Sequence, residues 1–174
     1  MKNLHLSTAR RRLAGVVCGA VWAGSVAVLP AAAAPNAGPQ LTGVWRLVRY
    51  VDTPDNAQPI YAFGEHPVGQ FIFTPEGSFS INIMRNPPAP ETATVDIDPD
   101  ACIPAWYCSY FGTYRLAESG RQWIARVEGG NIPSYVGTNQ TRSFELSGDR
   151  LRISESYEEG GRTVRAERVL ERVQ

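Results

Sequence analysis

The sequence predicts an all-β protein, an eight-stranded antiparallel up-and-down β-barrel, and three observations carry that prediction. Short apolar/polar alternations recur at near-regular spacing from residue 42 to residue 173. Turn residues, among them "PEG", "ESG", "SGD" and "EEGG", separate the later ones at hairpin length. No long run repeats with the period of a helix. Antiparallel strands joined in chain order remove their exposed edges by closing into a barrel. A two-sheet sandwich built from the same strands is the alternative.

The first strand is "TGVWRLVRYV" (42–51), whose alternation places Trp45, Leu47 and Val51 on one face and Arg46, Val48 and Tyr50 on the other. "VGQFIFT" (68–74) and "SFSINIM" (78–84) follow, with Phe79, Ile81 and Ile83 opposite Ser80 and Asn82. Then come "SYFGTYRL" (109–116), "RQWIARVE" (121–128), "TNQTRSFEL" (138–146), "RLRISESY" (150–157) and "TVRAERVLERV" (163–173). Residues 85–107 break the rhythm, and the prolines of "NPPAP" leave room for no more than a helical turn near Trp106. A segment of this length inside a compact domain is either a lid over the barrel mouth or a solvated surface loop. Its Asp96-x-Asp98-x-Asp100 run fails as a calcium loop. Ala101 stands where glycine is needed, and Tyr107 where glutamate is.

Residues 1–34 read as a secretory signal peptide. Lys2, Arg10, Arg11 and Arg12 form a basic head, residues 13–29 are almost wholly apolar, and Ala31-Ala32-Ala33-Ala34 offers a cleavage site near Ala33. The arginine run only loosely matches a twin-arginine signal, and "GVVC" is not a lipoprotein box. An uncleaved membrane anchor is the alternative. Residues 35–40 make a linker, and residues 41–174 the domain. The expected location is periplasmic or secreted, with no stable membrane span after cleavage.

Without its leader the chain holds 13 arginines, no lysine and all 17 acids, a net negative balance. That balance supplies no electrostatic reason to bind nucleic acid. About 140 residues suffice for one domain with a real core. Two cysteines remain, Cys102 and Cys108, in "CIPAWYC". In an oxidising compartment a disulfide is the expected state. No metal is expected, because a zinc site needs further nitrogen or sulfur ligands and His66 is the one histidine left. No cofactor is expected either.

Strand parity nominates an interior. Phe144 and Leu146 belong to the core, and Gln140 and Arg142 share their parity. An inward arginine among apolar residues needs a counter-charge. Glu128, on a nearby strand, or the acidic group of a ligand would supply it. Tyr110, Tyr114, Trp123, Phe71 and Phe73 fall at strand intervals and would line a pocket or fill the barrel. No Ser/His/Asp set or Gly-rich phosphate loop is present. If the barrel is catalytic, Glu128 as base, Tyr114 as acid and Arg142 as anion stabiliser would serve an isomerase or cyclase.

"LTGVWRLVRY", "PVGQFIFTPEGSFSINI", "YFGTYRL", "VEGGNIPSYVGTNQTRSFELSGDRLRIS" and the closing "LERV" together resemble the lipocalin-like domain family of bacterial and fungal proteins. The most specific part is the spacing Pro133…Gly137…Gln140-x-Arg142-x-Phe144-x-Leu146-x-Gly148-Asp149-x-Leu151. The resemblance implies a small β-barrel with an apolar interior, and it implies a fold more firmly than a function. It also implies that Gly43 and Trp45 open the first strand, with Trp45 closing one barrel end under an arginine from near the C-terminus. Arg172 is the candidate, and Arg168 the reserve. Many relatives carry a histidine just before the "VE" at Val127-Glu128, where this chain has Ala125 and Arg126. That departure weakens any inherited acid–base role. The expectation is an exported, monomeric or weakly dimeric barrel that binds a small apolar or amphipathic molecule. A barrel isomerase or cyclase, and a structural or protein-binding barrel with a filled interior, are the alternatives.

Overall fold

A computed structural model of the chain describes residue 38, residues 40–88 and residues 106–174. Eight antiparallel strands close in chain order into one barrel. They are β1 (Gly43–Pro54), β2 (Val68–Phe73), β3 (Ser78–Met84), β4 (Tyr107–Leu116), β5 (Gln122–Gly130), β6 (Asn139–Ser147), β7 (Arg150–Glu159) and β8 (Arg162–Arg172). A short 3₁₀ turn, Pro133–Tyr135, precedes β6. Period-two alternation of side chains builds these strands, and closure pairs β1 with both β2 and β8. Among the described residues no helix is long and apolar enough to cross a membrane.

One end of the barrel is packed solid. Trp45, Phe73, Phe79, Trp123, Leu151 and Leu170 are buried there. Phe73 meets both Tyr114 and Trp123 edge-to-face at 5.1 Å between ring centroids. Such contacts add about 0.5–1.5 kcal/mol per pair beyond the area that the rings bury.

Two bulges interrupt the ladder, and the first decides what faces inward. In β1 the register steps between Leu47 and Arg49, which pair with Leu170 and Val169 respectively, so Val48 has no opposite number. Parity reverses there. Tyr50 therefore pairs with Arg168 and joins the interior, while Val51 pairs with Glu167. This corrects the single-face assignment of Trp45, Leu47 and Val51. In β5, Phe111 pairs with Gly129 and Gly112 with Val127, which leaves Glu128 as the extra residue. A Cβ on Gly112 would run into the carbonyl oxygen of Arg126, so this bulge requires glycine. Leu146 is a further correction. It sits beside the β6–β7 turn, paired with Leu151, and is 37% exposed, whereas Phe144 is buried as expected.

Candidate functional site

The closed end answers what the Gly-x-Trp of the first strand is for. The Trp45 indole N–H donates to the carbonyl of Leu41 at 2.7 Å. The Arg172 guanidinium carbon lies 4.1 Å from the Trp45 ring centroid, and its Nη1 donates to the Thr42 carbonyl at 2.7 Å. Gly43 has φ of 133°, and a Cβ there would approach Arg172 Nη1 to 2.8 Å. The backbone conformation calls for glycine, and a Cβ would in addition displace the end of the Arg172 side chain. Arg168, the reserve, lies elsewhere, with its guanidinium carbon 3.3 Å from the Tyr50 ring centroid.

Above the packed end the interior turns polar. A cavity of about 50 Å³ is bordered by Tyr50, Tyr110, Tyr135, Arg142, Glu155 and Arg168, over apolar walls that include Phe71, Ile83, Trp123 and Ile153. Two ion pairs organise it. Arg142 Nη1 lies 2.9 Å from Glu155 Oε2, and Arg168 Nη1 lies 2.7 Å from Asp52 Oδ1. The Arg142, Arg168 and Asp52 side chains are only 12–13% exposed. Burial pushes the Glu155 carboxyl above its ordinary range, although Arg142 and Arg168 pull the other way. Burial also raises the Tyr110 phenol to about 12 and holds the Tyr50 phenol well above its ordinary value. Burial works against the Arg168 charge, but Tyr50 and Asp52 more than compensate.

A notch in the barrel wall lies beside this cavity. The β6–β7 ladder runs only from Ser147 and Arg150 up to Ser143 and Ser154. Beyond it β6 continues against β5 as far as Asn139, and β7 against β8 as far as Glu159. Arg142 and Glu155 are the first residues past the last β6–β7 rung, so their ion pair spans the gap where main-chain pairing stops. An outer groove of about 650 Å³ borders the same Ser154, Glu155 and Ala166 that wall the cavity.

Of the residues nominated from sequence, Arg142, Tyr110, Trp123 and Phe71 border the cavity. Phe73 and Tyr114 belong to the packed end instead, where the Tyr114 hydroxyl donates to the Thr74 carbonyl at 3.1 Å. Gln140 braces Arg142, accepting from its Nη2 at 3.2 Å and donating to Thr138 Oγ1 at 2.8 Å. Glu128 is a correction: it alternates with the buried Trp123, Ala125 and Val127 and so is exposed, and Arg142 takes Glu155 as its partner. Glu128, Tyr114 and Arg142 are therefore not gathered into an acid–base set. His66 is exposed and outside the cavity. Cys108 is fully buried against the core and borders the cavity, while Cys102 lies outside the described residues. The leader and most of the 85–107 segment, with its expected lid, also lie outside them. Among the described residues no cluster of three or more His, Cys, Asp or Glu could hold a metal.

The residues that sequence reasoning missed are Tyr50, Asp52, Tyr135, Glu155 and the true place of Arg168. Tyr50 and Asp52 were hidden by the β1 bulge. Glu155 had a readable signal, because Leu151-x-Ile153-x-Glu155 keeps strict alternation with two buried aliphatics. Arg168 had the same signal, lying between Ala166 and Leu170 in step.

No curated protein matches the sequence. The lipocalin-like domain family matches residues 42–173, a span that contains all eight strands and every cavity residue described above. The chain belongs to the lipocalin-like domain family.

Proposed function

We propose that the protein is an exported binding barrel that takes the polar end of a small amphipathic molecule into the cavity between Tyr50, Tyr110, Arg142 and Glu155. The observation that carries this reading is the contrast inside one barrel, a packed apolar end beneath a polar cavity. A pocket for a whole drug-sized ligand holds about 300–1,000 Å³. The cavity, at about 50 Å³, has room for a few waters or the head of a guest. The body of that guest would leave through the notch between β6 and β7, toward the outer groove. In this reading the leader is cleaved near Ala33, Cys102 and Cys108 form a disulfide after export, and the mature barrel works as a monomer or weak dimer.

The small volume also favours a second reading, a barrel whose interior is filled and whose ion pairs are structural. Native mass spectrometry separates the two, on mature protein from its own exported fraction, handled without detergent. The binding reading expects a bound organic mass that disappears on denaturation, on a chain lacking the leader. A clean apo mass in every exported preparation favours the filled barrel. A full-length mass with residues 1–34 intact overturns the export reading.

A further inference from the structure

The cavity's charges cancel before any guest arrives. Arg142 is held by Glu155 and Arg168 by Asp52, two cations against two anions. A carboxylate or ammonium head would bring an uncompensated charge into a sheltered space, which is costly unless a partner or a proton neutralises it. A neutral head carries no such penalty.

The hydrogen-bonding groups are not balanced in the same way. The carboxylates already accept from the arginines. Among the described residues the Trp123 indole N–H is buried without a hydrogen-bond partner, the hydroxyls of Tyr50, Tyr110 and Tyr135 bond to no other residue, and all four residues border the cavity. The raised Tyr50 and Tyr110 phenols stay protonated throughout the physiological range and remain O–H donors. Tyr110 and Tyr135 meet edge-to-face at 5.8 Å, forming an aromatic margin beside those donors. Resting on the binding reading above, we infer that the guest's head is an uncharged hydrogen-bond acceptor of the carbonyl class, a ketone, ester, lactone or amide oxygen, received by the Tyr110 hydroxyl and its neighbours.

A corollary concerns acids. A carboxylic acid enters only with a proton, carried by itself or taken up by Glu155. Glu155 is faced by Arg142 on β6, Arg168 on β8 and Asp52 on β1, and the Tyr50 and Tyr110 phenols border the same cavity.

The test uses four probes of one size, acetophenone, benzoate, ethylbenzene and benzylamine, titrated into the mature protein at neutral to slightly alkaline pH. The indole N–H resonance of Trp123, which borders the cavity, reports binding. Acetophenone is expected to bind at least about five-fold more tightly than ethylbenzene, the worth of one net hydrogen bond. Tyr110→Phe, which keeps the ring, should erase that margin without weakening ethylbenzene. Benzoate should trail acetophenone and gain about ten-fold in affinity for each unit the pH falls, the signature of one coupled proton. Equal binding of ethylbenzene and acetophenone, or tightest binding of benzoate or benzylamine at the starting pH, overturns the carbonyl assignment and leaves the binding barrel standing. If none of the four moves Trp123, the binding reading itself falls.

Discussion

Replacing Arg142 by leucine is the perturbation whose size the structure bounds most tightly. The substitution leaves Glu155, 27% exposed in its side chain, without its cation partner at 2.9 Å. Breaking a fully buried pair from one side costs about 3–5 kcal/mol. Here the loss has a ceiling, because the carboxylate can take up a proton instead. Against an ordinary carboxyl value of 4.5, protonation costs about 4 kcal/mol at pH 7.5 and about 0.7 kcal/mol at pH 5.

With partial exposure discounted, we expect Arg142→Leu to lose about 2 kcal/mol at the higher pH and under 1 kcal/mol at the lower. The sign agrees with the wild-type linkage. The folded-state pKa of Glu155 is raised, so the native state binds the extra proton. Stability is then greatest below the unfolded value and declines as pH climbs through the raised one. Urea denaturation of the two proteins at both pH values is the assay. The double substitution Arg142→Leu with Glu155→Leu should recover most of the loss, since apolar replacement of a buried pair is often neutral. An equal loss at the two pH values would place the damage in packing rather than in an orphaned charge, against this expectation.

Three further outcomes follow from the same geometry. Gly43→Ala, at φ of 133° and against Arg172, should lower stability by about 1–3 kcal/mol, whereas Gly148→Ala, with open space around it, should lose about 1 kcal/mol or less; thermal melts of the two compare them. Arg172→Leu removes the cation over Trp45 and the bond to the Thr42 carbonyl, for an expected loss of about 1–3 kcal/mol together with a shift in tryptophan emission. Glu128→Ala should leave stability within about 0.5 kcal/mol and acetophenone affinity unchanged, since the side chain is exposed outside the cavity; a large effect on affinity would return Glu128 to the site.

The barrel was legible in the sequence because alternation and turn chemistry are local signals. Each strand between Gly43 and Arg172 could be read from its own residues, and the family resemblance covered the same span. The closed end was legible through the family resemblance, which implied Trp45 under an arginine from near the C-terminus; in the fold Trp45 and Arg172 share one rung where β1 meets β8. The cavity was harder. Its membership turns on Val48, a single unpaired residue in an otherwise regular strand, and a one-residue step sends Tyr50 and Asp52 to the other face. Glu128 was misread although alternation sufficed: Trp123, Ala125 and Val127 share the buried face and leave Glu128 on the other. Glu155 was passed over because "SESYEE" reads as a charged surface run, although its first glutamate continues the Leu151 and Ile153 face. The notch had no sequence signal. It arises where two neighbouring strands end their shared ladder while each goes on pairing with another partner.

In the binding reading, the polar cavity beneath the β6–β7 notch is where a guest is held. A crystal structure of the mature protein with acetophenone tests it most directly. The ketone oxygen is expected within hydrogen-bond distance of the Tyr110 hydroxyl, with the ring running out past Arg142 and Glu155 toward the notch. Density for the ketone only in a separate surface groove, lined by Glu76, Tyr114 and Arg126, with water alone between Tyr50 and Tyr110, would contradict it.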